Sequence, residues 1–365
     1  MKILLLVTGA RGGSDFFQSL LDNHSQIIQF PGILRIDDDF NKMLNLTNPD
    51  KISKQFIKLY PYFFNSKLVS IERRGFLGEG KNKSFTVNKK RFVKNFYNLI
   101  KKNRKIDKAK ILKNLHIAYS LTKKEKKCRK KIIFIHTHIV DYTKKFLKII
   151  KEKNITIIHT MRNPISAINS PVKNWLKYKK GKFFFPKDLY FQLDLIFNGI
   201  FDLKNLKRKT FVIQLEKVHT QHKKVMKDFC KIFQIKYEKC MEKPTYFGMR
   251  WWGDAVSQKW VSGVNKNFKI NINKDIFYSR DIQFFEYIGI KIIKFYKYKL
   301  FYPNSKSYFH FYPMKCELLV WKNTFVHKKW KHILSIPFFY LKRIFLINKF
   351  MVKSSSLPYS IGSKL

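Results

Sequence analysis

Three short stretches of the chain carry residue types and spacings suited to holding an anion and moving a proton. The first is Gly9-Ala10-Arg11-Gly12-Gly13-Ser14, between an apolar run at 3–7 and a segment at 15–22 with Phe16, Phe17, Leu20 and Leu21 on one side. A strand, a glycine-bearing loop and a helix in that order let backbone N–H groups converge on an anion, and the helix start adds favourable partial charge. Arg11 supplies a fixed charge whose planar fork suits phosphate or sulfate oxygens. Ser14 is expected to cap the helix and donate to the same oxygens. The Gly-Lys-Ser/Thr ending of a Walker A loop is absent, so ATP hydrolysis is not supported.

The second stretch, Met161-Arg162-Asn163-Pro164, directly follows an apolar run at 155–159. Pro164 suits the first turn of a helix, and Ser170 stands eight residues after Arg162, about two turns on. The third, Ile135-His136-Thr137-His138-Ile139-Val140, closes another apolar run. A neutral imidazole can take the proton of an attacking hydroxyl near neutral pH, and His138 is the candidate base. Asp15 and the acidic run Asp37-Asp38-Asp39 compete for that role.

In their order and their placement at strand ends, these motifs resemble those of sulfotransferases that use 3′-phosphoadenosine 5′-phosphosulfate (PAPS), bacterial and carbohydrate-acting members in particular. Arg11-Gly12-Gly13-Ser14-Asp15-Phe16-Phe17 is similar to the 5′-phosphosulfate loop, roughly Arg-x-Gly-Ser/Thr-Ser/Thr followed by apolar residues, and His24 fits the continuation. Arg162 and Ser170 have the spacing of the family's 3′-phosphate site, and His138 falls where many members carry a histidine base after Lys-Thr. Residues 244–254, Pro-Thr-Tyr-Phe-Gly-Met-Arg-Trp-Trp-Gly-Asp, look like a Pro-Thr-x-x-Gly-x-x-Trp-x-Gly-Asn/Asp element. The resemblance spans residues 1 to about 270.

It implies an α/β fold, with a P-loop-like central parallel sheet flanked by helices on both faces. It implies PAPS as sulfuryl donor, no metal, and a hydroxyl acceptor, most naturally a carbohydrate or glycolipid. Carried over residue by residue, it puts Arg11, Gly12, Gly13, Ser14, Asp15, Phe16, Arg162, Ser170 and Arg250 at the cofactor, with His138 and Arg11 in catalysis; Lys259 is a further candidate for a phosphate contact. Two positions depart from the pattern. Asp15 replaces a hydroxyl residue; it either points away, binds an acceptor group or weakens the site. His136 stands where the family has a lysine.

The charge balance suits an anionic partner: 75 Lys and Arg against 24 Asp and Glu, a net charge of +51. No helix-turn-helix, zinc-finger or RNP pattern is present, so nucleic acid is not expected. A P-loop kinase, indifferent to a 3′-phosphate, and a non-catalytic basic protein on membrane or nucleic acid stay open as alternatives. Neither accounts for the spacing of Arg162 and Ser170. The four cysteines, Cys128, Cys230, Cys240 and Cys316, form no CxxC pair, and the opening apolar run is too short for a signal peptide. Reduced thiols and a cytoplasmic location are expected.

To bring three motifs together, strands and helices must alternate. Strands are expected at 3–7, 27–30, 132–135, 155–159 and 210–215, with helices at 15–22, 142–151, 164–175 and up to 233. That alternation predicts a parallel sheet with ligand at the C-terminal ends of its strands. The helical, aromatic, lysine-rich residues 35–130, with Arg73, Arg74 and the basic run 101–131, read as an acceptor-binding insertion within a domain spanning 1–300. Residues 301–365 read as a basic aromatic extension whose single carboxylate is Glu317. At 338–352 a helix is expected with Lys342, Lys349 and Lys353 on one face and Tyr340, Ile344, Ile347 and Met351 opposite. Such a helix lies on an anionic membrane surface or packs on the domain.

Overall fold

The computed structural model describes residues 1–9, 11–68, 73–101, 107–123, 130–178, 186–254, 260, 263–270, 272, 276–303, 312–326, 335–352, 357–358 and 360–361. Lys259, Lys353 and Cys128, and parts of the basic run 101–131, lie outside them. Strands β1 (Lys2–Thr8), β2 (Ile27–Ile33), β3 (Ile132–His138), β4 (Ile155–Met161) and β5 (Thr210–Gln214) form one sheet. Their order is β2-β3-β1-β4-β5, and every neighbouring pair is parallel. Strands covered on both faces need near-continuous apolar runs, and Leu4, Leu5, Leu6 and Val7 are fully buried.

The connections are α1 (Ser14–Leu20), then α2 (Asp38–Leu44), α3 (Pro49–Leu59), α4 (Pro61–Phe64), α5 (Lys89–Ile100) and α6 (Lys108–Thr122) between β2 and β3. Next come α7 (Val140–Ile150), α8 (Pro164–Tyr178), α9 (Pro186–Phe201), α10 (Leu215–Thr220) and α11 (His222–Phe233). A short hairpin, β6 (Thr245–Tyr246) and β7 (Met249–Arg250), precedes α12 (Ser279–Ile288), α13 (Ile290–Phe295), α14 (Lys315–Val326) and α15 (Ser335–Val352). Two hydrophobic cores result. One joins residues of all five strands to α1–α7, α10 and α11; the other joins residues of β1, β4 and β5 to α7–α9, α12, α13 and α15. The expected α/β fold, with a P-loop-like parallel sheet and helices on both faces, is what forms.

Several boundaries differ from expectation. β2 continues through Pro31-Gly32 because its pairing with β3 breaks after Gln29 and resumes at Ile33, so a residue lacking an N–H is tolerated there. β3 extends to His138, so both histidines of the third motif belong to the strand. Leu215 leaves the sheet and begins α10, and the helix expected to run on to Phe233 is broken at Gln221. The many phenylalanines of the insertion build its interior: Phe30 of β2 stacks on Phe63 at 4.9 Å and meets Tyr119 edge-on at 5.1 Å.

Of the described residues after 300, Met314, Leu346, Phe350 and Leu357 pack into the second core. Leu346 and Phe350 of α15 are fully buried, and buried Arg343 donates to Glu317, which also accepts from Tyr190 of α9. The packed face thus differs from the expected apolar one, because the Glu317 carboxylate draws Arg343 inward. Phe338, Leu341 and Phe345 are left exposed at 59, 63 and 51%. Near the C-terminus the Ile361 N–H donates to the Val212 carbonyl at 2.7 Å, adding a bridge beside β5. Among the described residues no helix is long and apolar enough to cross a membrane.

His159 of β4 is fully enclosed, and neither ring nitrogen has a hydrogen-bond partner among the described residues. Burial lowers its pKa from 6.5 to about 3. The unfolded chain therefore takes up the proton first, and stability is lost as pH falls below the unfolded value. His159→Leu should remove this loss: in urea unfolding, the variant's gain over wild type should be larger at pH about 5.5 than at pH about 7.5, by about 1.4 kcal/mol.

Candidate active site

The three chemical motifs lie at the C-terminal ends of three adjacent strands. β1 is the central strand of the sheet, flanked by β3 and β4, and strand order reverses around it, which is where ligands of open α/β sheets bind. Val7 pairs with His138 on one side and Thr8 with Thr160 on the other, so the three loops leave the sheet at the same level. They enclose a cleft of about 210 Å³ lined by Arg11, Gly12, Gly13, Ser14, Asp15, Phe16, His138 and Arg162, with Leu215, His219, Trp251, Gly253 and Asp254.

Close backbone approach shapes the loop after β1. Thr8 donates its hydroxyl to the Thr160 carbonyl at 3.0 Å, and a Cβ on Gly12 would come 2.3 Å from the Thr8 hydroxyl and 2.4 Å from that carbonyl. Gly13 takes a left-handed φ of 80° and is itself the N-cap of α1. This corrects the expectation for Ser14, which is the first helical residue and does not cap. The first bond of the helix runs from the Phe17 N–H to the Gly13 carbonyl, so the N–H groups of Ser14, Asp15 and Phe16 precede the helical ladder.

The two arginines meet different neighbours from those the spacing suggested. Arg11 reaches Ser170 at 3.4 Å and Asp254 at 3.3 Å. Arg162 instead donates to Ser166, one turn after it, while its Nε is buried with no hydrogen-bond partner among the described residues. Burial lowers the pKa of Arg162 and Glu216 opposes this, but a guanidinium stays charged. Glu216 is fixed in turn: it accepts the Asn163 N–H at 2.7 Å and the Tyr298 hydroxyl at 3.1 Å. Burial raises its pKa against those hydrogen bonds and the charge of Arg162.

His138 ends β3 with a left-handed φ of 69°, a conformation costing about 1–2 kcal/mol for a residue with a Cβ. Its ring meets His136 edge-on, with His138 Nδ1 3.4 Å from His136 Nε2. Burial lowers the pKa of His138, with the Asp15 carboxylate opposing and Arg11 reinforcing, so the imidazole is neutral at neutral pH. Asp15 faces buried Arg74 at 3.7 Å and His136 at 3.9 Å. Of the competing acids, Asp37 caps α2, taking the Phe40 N–H at 2.9 Å, and does not line the cleft.

Arg250 is not drawn to the cleft lining; it pairs with Glu79 at 2.7 Å and lies 3.9 Å over the Trp252 ring. Trp251 does line the cleft, packed edge-on against Tyr246. His219 was not singled out from sequence. It is sandwiched between Phe16 at 4.6 Å and Phe268 at 4.7 Å, and burial lowers its pKa to about 4. Its Nδ1 accepts the Asn265 N–H at 3.2 Å, which leaves the hydrogen on Nε2 as a neutral donor. No short-range pattern signals it, since its partners come from α1 and from 46 or more residues downstream.

No protein-family model and no curated protein matches the chain. Among solved structures, the sulfotransferase domain of the Synechococcus PCC 7002 olefin synthase aligns with a TM-score of 0.41 and 11% identity, over 82% of this chain and 95% of that one. A sulfotransferase domain from the curacin biosynthetic pathway aligns with a TM-score of 0.35 and 12% identity, over 76% of this chain and 89% of that one. Likeness at these values carries no argument about activity.

Gly12→Ala tests whether the cleft depends on the loop's approach to β4. The added methyl must displace backbone, at a cost of about 1–3 kcal/mol in urea unfolding, and affinity for pyrophosphate in calorimetry should fall at least about tenfold.

Proposed function

We propose that the chain is a sulfotransferase that moves a sulfuryl group from PAPS to the hydroxyl of a carbohydrate or glycolipid acceptor. The observation that carries this reading is the convergence of the Arg11 loop, Arg162 and His138 on one cleft at three adjacent strand ends. The donor set suits a nucleotide bearing two separated anionic groups. Arg162 has a buried Nε with no partner among the described residues, as an anion-binding guanidinium would before ligand arrives. On this reading Arg11 and the N–H groups of Ser14, Asp15 and Phe16 hold the phosphosulfate, and Arg162 holds the 3′-phosphate. Ser170, now on Arg11, and Ser166, on Arg162, are both within reach of the same charges.

The reaction needs an in-line approach of the hydroxyl to sulfur, removal of its proton and stabilisation of charge on the departing phosphate. Neutral His138 supplies the base, and Arg11 the counter-charge once it exchanges Asp254 for an anionic oxygen. A glycan acceptor is supported by a cluster of aromatic and cationic groups that begins one residue after the cleft residue Trp251. Trp252 follows the cleft residue Trp251; Lys81 lies 4.9 Å from the Trp252 ring and 4.5 Å from the Trp260 ring, and Arg73 lies 4.2 Å over Trp260. Cations lying over these ring faces, Arg250 over Trp252 among them, favour the anionic substituents of an acidic sugar over stacking of its apolar face.

Calorimetric titration with adenosine 3′,5′-bisphosphate, AMP and ATP tests the donor. The bisphosphate should bind most tightly, and Arg162→Ala should weaken it by roughly 10- to 100-fold, the worth of a hydrogen bond to a charged group. Equal affinity for all three nucleotides, unchanged in the variant, would overturn the reading.

A peripheral contact with an anionic membrane is also proposed, on the exposed row Phe338, Leu341 and Phe345 of α15, with Lys342 and Lys349 beside the Phe345 ring. Sedimentation with phosphatidylserine-containing vesicles should carry the protein down at low salt, and F338S/L341S/F345S should abolish this. Sedimentation that persists in the triple variant would refute the contact.

A further inference from the structure

A histidine base works only if the nitrogen facing the reacting proton carries a lone pair, and a neutral imidazole has two tautomers. For His138 the choice is made two residues away. Gln18 of α1 is fully buried, and its Nε2 donates to the Phe30 carbonyl at 2.8 Å and lies 3.5 Å from the Gly32 carbonyl. Turning the amide over would set its oxygen against two carbonyls, so Oε1 must face His136. His136 Nδ1 lies 3.0 Å from that oxygen and 3.9 Å from the Asp15 carboxylate; with only acceptors in front of it, Nδ1 carries the hydrogen.

His136 is 1% exposed, and buried Arg74 adds a like charge nearby, so the ring stays neutral and its Nε2 is an acceptor. Among the described residues, the ring nitrogen that meets it is His138 Nδ1 at 3.4 Å. Nδ1 of His138 therefore donates, and Nε2 is left unprotonated on a ring that lines the cleft. Among the described residues, the charged and titratable groups around this ring are Asp15 from α1, Arg11 from the loop and His136 from β3. None offers Nδ1 a competing hydrogen bond in the structure.

We propose that Gln18 and His136 are positioning residues that hold His138 in the Nδ1–H tautomer, making Nε2 the atom that receives the acceptor's proton. The consequence rests on the sulfuryl-transfer reading; the tautomer does not. In that reaction the bond from the acceptor oxygen to sulfur forms as the bond from sulfur to the phosphate oxygen breaks. The hydroxyl proton passes to Nε2, and the phosphate departs with the electron pair. The imidazolium so formed is still held through Nδ1–H, so the ring need not turn during the step.

The test is nitrogen-15 NMR of the full chain labelled at histidine, without nucleotide, with the His138 signals identified by their disappearance in His138→Asn. The wild type should show the Nδ1–H form of His138 in excess of roughly tenfold, the worth of one buried hydrogen bond kept rather than lost. A predominant Nε2–H form, or parity, overturns the proposal in the wild type alone. Gln18→Met keeps volume but removes the acceptor; with its circular dichroism and melting cooperativity retained, it should shift His138 toward parity, whereas an unchanged ratio would remove Gln18 from the role. If the tautomer is as proposed while the bisphosphate fails to bind, the relay stands and the sulfotransferase reading falls.

Discussion

The whole site hangs on one close approach, the bare Cα of Gly12 against the Thr8 hydroxyl and the Thr160 carbonyl. Because that contact draws the loop after β1 onto the end of β4, Arg11 reaches Ser170 of α8, and Arg162 lies half-buried in the lining of the cleft. The sheet supplies the level at which this happens. With β1 between β3 and β4, residues more than 120 positions apart leave their strands side by side. Packing on both faces then holds the strand ends rigid enough for polar groups to be aimed without further support.

Charge in the cleft is balanced more finely than the net +51 suggests. Carboxylates are scarce in this chain, yet one stands at each key cation: Asp254 on Arg11, Glu216 coupled to Arg162, and Asp15 toward Arg74. Buried guanidinium groups without partners would be costly, so each carboxylate keeps the cleft stable until an anion arrives. The arrangement also explains the neutrality of the three histidines nearby. Burial lowers the pKa of His136, His138 and His219, and the local cations add to that effect for each. A neutral base and a neutral donor beside fixed cations suit a reaction in which negative charge grows.

The departures from the family pattern acquire a physical setting here. Asp15, an odd residue beside a phosphosulfate, faces buried Arg74, whose guanidinium also donates to the Pro31 carbonyl and lies 4.7 Å over the Tyr246 ring. The carboxylate therefore ties α1 to the helical insertion and to the hairpin after residue 244. His136, where a lysine is usual, joins Gln18 and His138 in a chain of neutral hydrogen bonds. A lysine there would be a buried ammonium close to Arg74, so the two departures belong to one environment.

The sequence by itself determined the strands, their alternation with helices, the glycine loop and the candidates Arg11, Arg162 and His138. Those features are written in apolar runs and local spacing, which depend on neighbours a few residues away. It also yielded the helical nature of 35–130, because amphipathic periodicity needs no tertiary partner to be seen. Only the tertiary structure decided which serine meets which arginine, that Arg250 turns to Glu79, and that α15 buries Arg343 with Leu346 and Phe350. The same holds for His219, for Asp254 and for the partnership of Gln18 with His136. Each is a contact between segments distant in sequence, chosen by the desolvation of polar groups in a shared interior, and no pattern within either segment encodes it.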